Sequence, residues 1–368
     1  MAREFRPSLS ELGFYASLLN SSAGKLPRPH GLSDHEFVRQ LDYHGITMLV
    51  EQAGNLPKGV LQHLGPRKAL MVANEALKSQ ALIELCDAFA SAGLQRNIIF
   101  KGGALAYSIY SKPWLRPRSD TDCLIDQSEH PQFAEVLFDL GYHKLFSIEG
   151  QYASCQHTYS KQLAGQSVMN IDLHWRINNR HALAKAYSVD NLIETSSTLS
   201  ALSDSIKIPH PSDSLLIASL HRLGHHPNEE RLTWLNDIHL LANALSEGDD
   251  WQQLCTKARE KRLAGITLDS LNFSQRLFAT VVSKETWAEL RAAAANKEPS
   301  QLFFNRELPE WRYFLSDIAA LEGWGNKLWL IYENVFPSPD YVRQQMGTKS
   351  ALLAYFKRAM RGLARMKK

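Results

Sequence analysis

At 368 residues, with 44% hydrophobic and 10% aromatic residues, the chain is too long for most single cores and implies two or three domains. No run approaches the roughly 18–20 apolar residues that a membrane-spanning helix needs, and the net charge of +3 does not by itself predict a polyanionic partner. The charge is uneven, however: Tyr341 to Lys368 holds eight Lys or Arg and no acid, so this tail carries +8 and the remainder −5. The four cysteines (Cys86, Cys123, Cys155 and Cys255) have no metal-type spacing and read as free thiols of a reducing compartment. The N-terminus lacks the apolar core of a signal peptide. These features together predict a cytoplasmic protein.

In chain order, residues 8–19 read as a short amphipathic helix capped by Ser8 or Ser10, and residues 20–31 as a turn and loop. Ser33-Asp34-His35-Glu36 is a capping box that opens a helix to about Gln52. A long helix follows Pro66 and closes near Gly93. Strand-like runs then appear at 96–100, 123–126, 155–160 and 167–174, with a helix at 129–140 between two of them. After Pro209 the pattern is helical again, from Asp213 to about Gly224, from Glu229 to about Leu245, and onward to the end. The expected plan is α+β: a helical N-terminal segment (1–93), a mixed-sheet module (94–205) and a helical C-terminal domain (206–368).

The functional signal is concentrated in Phe100 to Asp126, FKGGALAYSIYSKPWLRPRSDTDCLID. A short apolar strand leads into a Lys101-Gly102-Gly103 turn, a helical run from Ala104 to Tyr110, and a loop carrying Arg116 and Arg118. Asp120 and Asp122 follow at the spacing that puts two strand side chains on one face. Neighbouring carboxylates resist joint ionisation unless a cation lies between them, and Mg²⁺, or Mn²⁺ in its place, prefers such oxygens. Asp172 is the candidate third acid, because Met169 to Trp175 alternates Ile171 and Leu173 against Asp172 and His174. A strand beside 120–125 would bring Asp172 to the pair, and three acids can hold two metal ions. Gly102 and Gly103 would let a triphosphate approach the backbone, at a helix N-terminus that favours anions. Lys101, Arg116 and Arg118 could neutralise phosphate charge. Asp126 reads as a cap ending the strand. A calcium loop beginning at Asp120 fails, because its sixth position is Ile125 and its twelfth Pro131.

This stretch resembles the DNA polymerase beta-like nucleotidyltransferase superfamily. More narrowly, KGGALA…LRPRSDTDCLID, IDLHWRI and LHRLGHH…RLTWLNDIHLL are similar to the bacterial family labelled uncharacterised nucleotidyltransferases. The resemblance implies metal-dependent transfer of a nucleotidyl group from a nucleoside triphosphate such as ATP to an acceptor that the family does not specify. It assigns Gly102 and Gly103 to the glycine motif, Asp120 and Asp122 to the paired acids, and Asp172 to the third acid. The chain departs from minimal members in length: Asp120 stands 17 positions after Gly103, the excess lying in Ser111 to Arg118.

Two further features carry chemistry. His221, His225, His226, Asp237 and His239 form a polar group in the C-terminal half, with His221 and His225 on one helical face. Helix packing and cleft walls are the ordinary use of such residues. His174, His221 and Asp237 are the candidate acceptor contacts, and a metal-dependent phosphohydrolase built on 221–239 is an alternative function. A non-catalytic nucleotide-binding module is another. The last helix sets Leu352, Phe356, Met360 and Leu363 against Lys357, Arg358, Arg361 and Arg365. It could meet an anionic membrane or nucleic acid, but docking of its apolar stripe on the rest of the chain is the ordinary arrangement.

Overall fold

The computed structural model describes residues 8–19, 32–145, 150–165, 167–225, 229–295, 297–304 and 308–366. The turn expected over 20–31 and the side chain of His226 lie outside these described residues. Ser8 caps the helix Leu9–Ser17 and Ser33 caps Asp34–Tyr43, each completing a capping box with the glutamate three positions on. The single helix expected to Gln52 is instead two, Asp34–Tyr43 and Thr47–Gln52. Gly45 breaks it with a φ of +67°. A Cβ there would lie 3.1 Å from Thr233 Cβ, so the break lets the chain approach a C-terminal helix closely. The long helix runs Lys58–Ser91 and takes Pro66 into its interior, at the loss of one backbone hydrogen bond.

Five strands form the central sheet: β1 (Asn97–Phe100), β2 (Thr121–Ile125), β3 (His143–Lys144), β4 (Gln156–Gln162) and β5 (Val168–His174). Their order is β1-β2-β5-β4-β3. All neighbours are antiparallel except β2 and β5, which are parallel. The period of two divides the side chains between two cores. Ile99, Cys123, Ile125, Ile171 and Leu173 pack with Leu82, Leu85 and Phe89 of the long helix. Ile98, Phe100 and Leu124 pack with Leu215, Leu216 and Leu235 of the C-terminal helices. Asp122 is two residues from Leu124, so its side chain projects toward the C-terminal helices. Lys101-Gly102-Gly103, expected as a turn, is the first turn of the helix Lys101–Ser108. Asp126 caps the short 3₁₀ turn that follows β2, accepting from Ser128 N at 2.8 Å. All four cysteines are buried and unbonded.

The C-terminal helices begin with Pro211–Leu220, continue as a π-turn at His221–His225, and resume at Leu232–Ala244. Arg222, fully buried there, is paired with Glu230 at 2.6 Å and Asp269 at 2.7 Å. Further on, Glu310–Ala320 and Trp324–Val335 return to the central module. Glu333 turns inward and accepts the N–H groups of Gln151, Tyr152 and Ala153 at 3.0, 2.8 and 2.7 Å. Gly150 is required beside it, since its φ is +132° and a Cβ would run into the Glu333 carboxylate. The final pair, Pro339–Met346 and Ala351–Met366, shares a small core of Val342, Met346 and Ala354. The apolar stripe of the last helix does not dock on the protein, contrary to expectation. Ala354 faces inward, while Leu352 is 84% and Phe356 64% exposed. The side chains of Leu363 and Arg365 lie outside those described. Among the described residues, no helix is long and apolar enough to cross a membrane.

Replacing Glu333 by Ala is expected to lower unfolding stability by about 1.5–3 kcal/mol, the scale of a lost hydrogen bond to a charged acceptor. Glu333→Gln, which keeps one acceptor oxygen, should lose less. Denaturant unfolding of the two variants measures the difference, and equal losses would mean that the carboxylate does not anchor the loop.

Candidate active site

A cleft of about 650 Å³ opens between the ends of β2 and β5 and the C-terminal helices; Lys101, Gly102, Asp120, Asp122 and Asp172 line one side, and Ile217, His221 and Trp234 the other. Its floor is set by strand register. Asp122 stands directly opposite Asp172 in the parallel β2–β5 pair, so two acids from distant sequence are forced side by side. Asp120, expected on the strand, precedes it, because β2 starts at Thr121.

Each carboxylate is held differently. Asp122 is buried, and its Oδ1 accepts from Lys101 Nζ at 2.8 Å and lies 2.8 Å from His174 Nε2. Burial alone would raise this carboxyl, but the Lys101 ammonium and the His174 hydrogen bond outweigh it and hold it well below the usual carboxylate range. Asp172 accepts from Thr158 Oγ1 at Oδ1 and from Gln156 Nε2 at Oδ2, both at 2.6 Å. Asp120 has a hydrogen bond from Ser119 Oγ at 3.1 Å. Burial, then the neighbouring Asp122 and Asp172 charges, push its carboxyl upward. Lys101 reaches Asp122 from a left-handed backbone, φ +51°, a conformation that costs a non-glycine residue about 1–2 kcal/mol.

This donor set suits a cation. Ligand atoms of Asp122, Asp172 and His174 all lie within 4.8 Å of one another, and all three residues are buried. Lys101 supplies positive charge there. The cluster differs from the expected trio in having His174 where Asp120 was expected. His174 is 1% exposed and lies against the ring of Phe100. It therefore serves Asp122 from below and does not reach an acceptor in the cleft.

Other expectations are redirected. Gly103 does not line the cleft: a Cβ would stand 2.8 Å from Thr121 Cγ2, so glycine is needed for the helix to close on β2. Gly102 does line it, but its missing Cβ also makes room for the Arg116 guanidinium. Arg116 is paired with Asp237, Nε at 3.0 Å and Nη2 at 2.7 Å, and its Nη1 donates to Pro117 O at 2.9 Å. Arg118 is paired bidentately with Glu75 at 2.7 and 3.0 Å and also meets Tyr107 Oη at 2.9 Å. Both arginines thus brace the 111–119 loop from within, and both also line the cleft. Asp237, taken for an acceptor contact, is occupied by Arg116 and by Tyr110 Oη at 2.6 Å. His221 does line the cleft, its ring stacked on His225 and edge-on to Trp234. His239 bonds to Thr280 at 2.9 Å, so among the described residues the histidines of 221–239 do not converge on one centre.

Several participants went unnoticed in the sequence. Gln156 and Thr158 alternate on β4, but only the β4–β5 register, which sets Thr158 opposite Asp172, reveals their purpose. Glu75 falls on the helical face of Met71, Lys78 and Leu82, a buried-acid signal that was available. Tyr43, Arg231 and Trp234 form a second cleft wall, with Arg231 over the rings of Tyr43 at 5.1 Å and Trp234 at 5.4 Å.

Arg116→Met should destabilise the protein by about 3–5 kcal/mol, because it leaves Asp237 charged and buried without its partner. Arg116→Met with Asp237→Leu should recover much of that loss in the same unfolding measurement. A stable single variant with weakened nucleotide affinity would instead mark Arg116 as a phosphate ligand.

Comparison with known proteins bears on this arrangement. No curated protein matches the chain. Among solved structures, an antigenic nucleotidyltransferase-like protein from Paracoccidioides brasiliensis aligns at 17% identity and a TM-score of 0.38, covering 58% of this chain and 97% of that one. The sequence model of the family described as uncharacterised nucleotidyltransferase matches residues 31–279, well over half of the chain. The chain therefore belongs to the uncharacterised nucleotidyltransferase family.

Proposed function

We propose that the protein transfers a nucleotidyl group from a nucleoside triphosphate to a hydroxyl or phosphate acceptor. An acceptor oxygen forms a bond to the α-phosphorus, the bond from that phosphorus to the β-phosphate bridging oxygen breaks, and pyrophosphate leaves. The observation that carries the reading is Asp122 beside Asp172 on adjacent parallel strands at the floor of an open cleft. Family membership supports the reaction class.

Asp122 and Asp172, with Asp120 at the rim, are the residues that would hold Mg²⁺ or Mn²⁺. When bound, such ions polarise the phosphoryl oxygens and stabilise the leaving pyrophosphate. The chain's own groups do the rest. Gln156 and Thr158 fix the Asp172 carboxylate, which retains lone pairs to take the acceptor's proton. His174 and Lys101 fix Asp122. Lys101 is the ammonium nearest the acids and the first candidate to meet the phosphates, with Gly102 offering close backbone approach. Tyr43, Arg231 and Trp234 provide aromatic and cationic surface for a planar base, and His221 borders the space left for the acceptor.

Thermal unfolding with each nucleoside triphosphate and Mg²⁺ tests this. A ligand at about 100 times its Kd should add about 2.7 kcal/mol of stability, and chelation should remove the gain. Asp122→Asn and Asp172→Asn should abolish it while retaining the wild-type circular dichroism. No gain with any of the four triphosphates, with either Mg²⁺ or Mn²⁺, would defeat the proposal.

A further inference from the structure

Two helices beyond the family match, Glu310–Ala320 and Trp324–Val335, bury an acid and expose large apolar side chains. In Trp324–Val335 the inward side chains are Leu330 and the acid Glu333, bonded to three backbone N–H groups. The outward ones include Trp324, 81% exposed, with Leu328, Trp329, Tyr332 and Val335. Glu310–Ala320 repeats the pattern, with Tyr313 and Asp317 buried and Trp311 and Leu315 exposed. Asp317 is tied inward to Arg180 at 3.2 Å. In the last helix Leu352, Phe356 and Met360 recur every four residues on the solvent side, beside Lys357 and Arg361. Arg358 bonds Asn334 O at 3.1 Å and Tyr355 bonds Pro337 O, so the last helix is fastened to the end of Trp324–Val335. A cation sits over two of the exposed tryptophans, Arg312 over Trp311 at 5.3 Å and Lys327 over Trp324 at 5.5 Å.

We infer that this face docks on an anionic lipid bilayer surface, with the helices lying in the headgroup region. Tryptophan and tyrosine beside basic side chains suit the boundary between acyl chains and headgroups, and the +8 tail attracts anionic lipid. A second copy of the chain fits poorly, because a twofold contact sets each patch against itself and would oppose two unrelieved basic tails. Nucleic acid would satisfy the cations but gives Leu328, Leu352 and Met360 nothing to bury them. A bilayer supplies both partners.

Flotation of the full chain with vesicles of phosphatidylcholine alone, and of phosphatidylcholine with phosphatidylglycerol, tests the inference. The protein should float with the anionic vesicles, far less with the neutral ones, and progressively less as salt rises. Lys357→Gln and Arg361→Gln should each weaken partitioning roughly 5-fold. Leu352→Gln with Phe356→Gln should weaken it roughly 10-fold or more. These side chains are exposed, so thermal unfolding should stay at the wild-type temperature. No flotation with either vesicle would overturn the inference. So would flotation indifferent to the Leu352 and Phe356 substitutions, which would reduce the contact to charge alone. A concentration-dependent dimer lost in that double variant, or retention by single-stranded oligonucleotides in place of vesicles, would reassign the face.

Discussion

Placing Asp122 against Asp172 is the constraint around which the rest of the site is arranged. Parallel pairing of β2 and β5 sets the two carboxylates side by side, and in a buried setting neither tolerates the other's charge without compensation. The chain answers with Lys101 and His174 on Asp122 and with Thr158 and Gln156 on Asp172. That explains why Lys101 accepts a left-handed backbone and why a histidine is buried at the end of the central strand. It also leaves Asp120 without comparable support. An arrangement that concentrates negative charge and only partly offsets it is organised to receive more cation.

The 111–119 loop serves the same end at a distance. Arg116 reaches forward to Asp237, which also accepts from Tyr110 Oη, and Arg118 reaches back to Glu75 on the long helix. Buried ion pairs of this kind are weak contributors to net stability but are costly to break singly. One segment therefore links the N-terminal helix, the sheet and the C-terminal helices, and it runs straight into Asp120. The segment acts as a strut between the long helix and the C-terminal helices.

The C-terminal helices follow a different logic. Two of their acids point inward and work as anchors, Glu333 on the 151–153 backbone and Asp317 on Arg180. Fixing the helices by polar contacts frees their apolar faces from the core. Large apolar side chains in solvent forfeit the gain of burial, a gain that the proposed bilayer contact would restore.

Much of this was legible in the linear chain. A capping box announced the helix from Asp34, a strand-like run announced β2 and alternation β5, and the spacing of Asp120 and Asp122, with Asp172 in an alternating run, marked the three acids as candidates, because side-chain direction in a strand depends only on local period. The resemblance in KGGALA…SDTDCLID and IDLHWRI pointed to the family. Partner choice was not legible. Arg116 and Arg118 look alike in sequence, but folding sets Asp237 beside one and Glu75 beside the other, 121 and 43 positions away. The two glycines also look alike, but Gly103 is packed against Thr121 while Gly102 lines the cleft. The last helix read as amphipathic, but its period carries no record of which side the protein covers. Local periodicity determined which residues share a face. Only tertiary packing decided what each face meets, because long-range contacts depend on how distant elements are brought together, which no local spacing encodes.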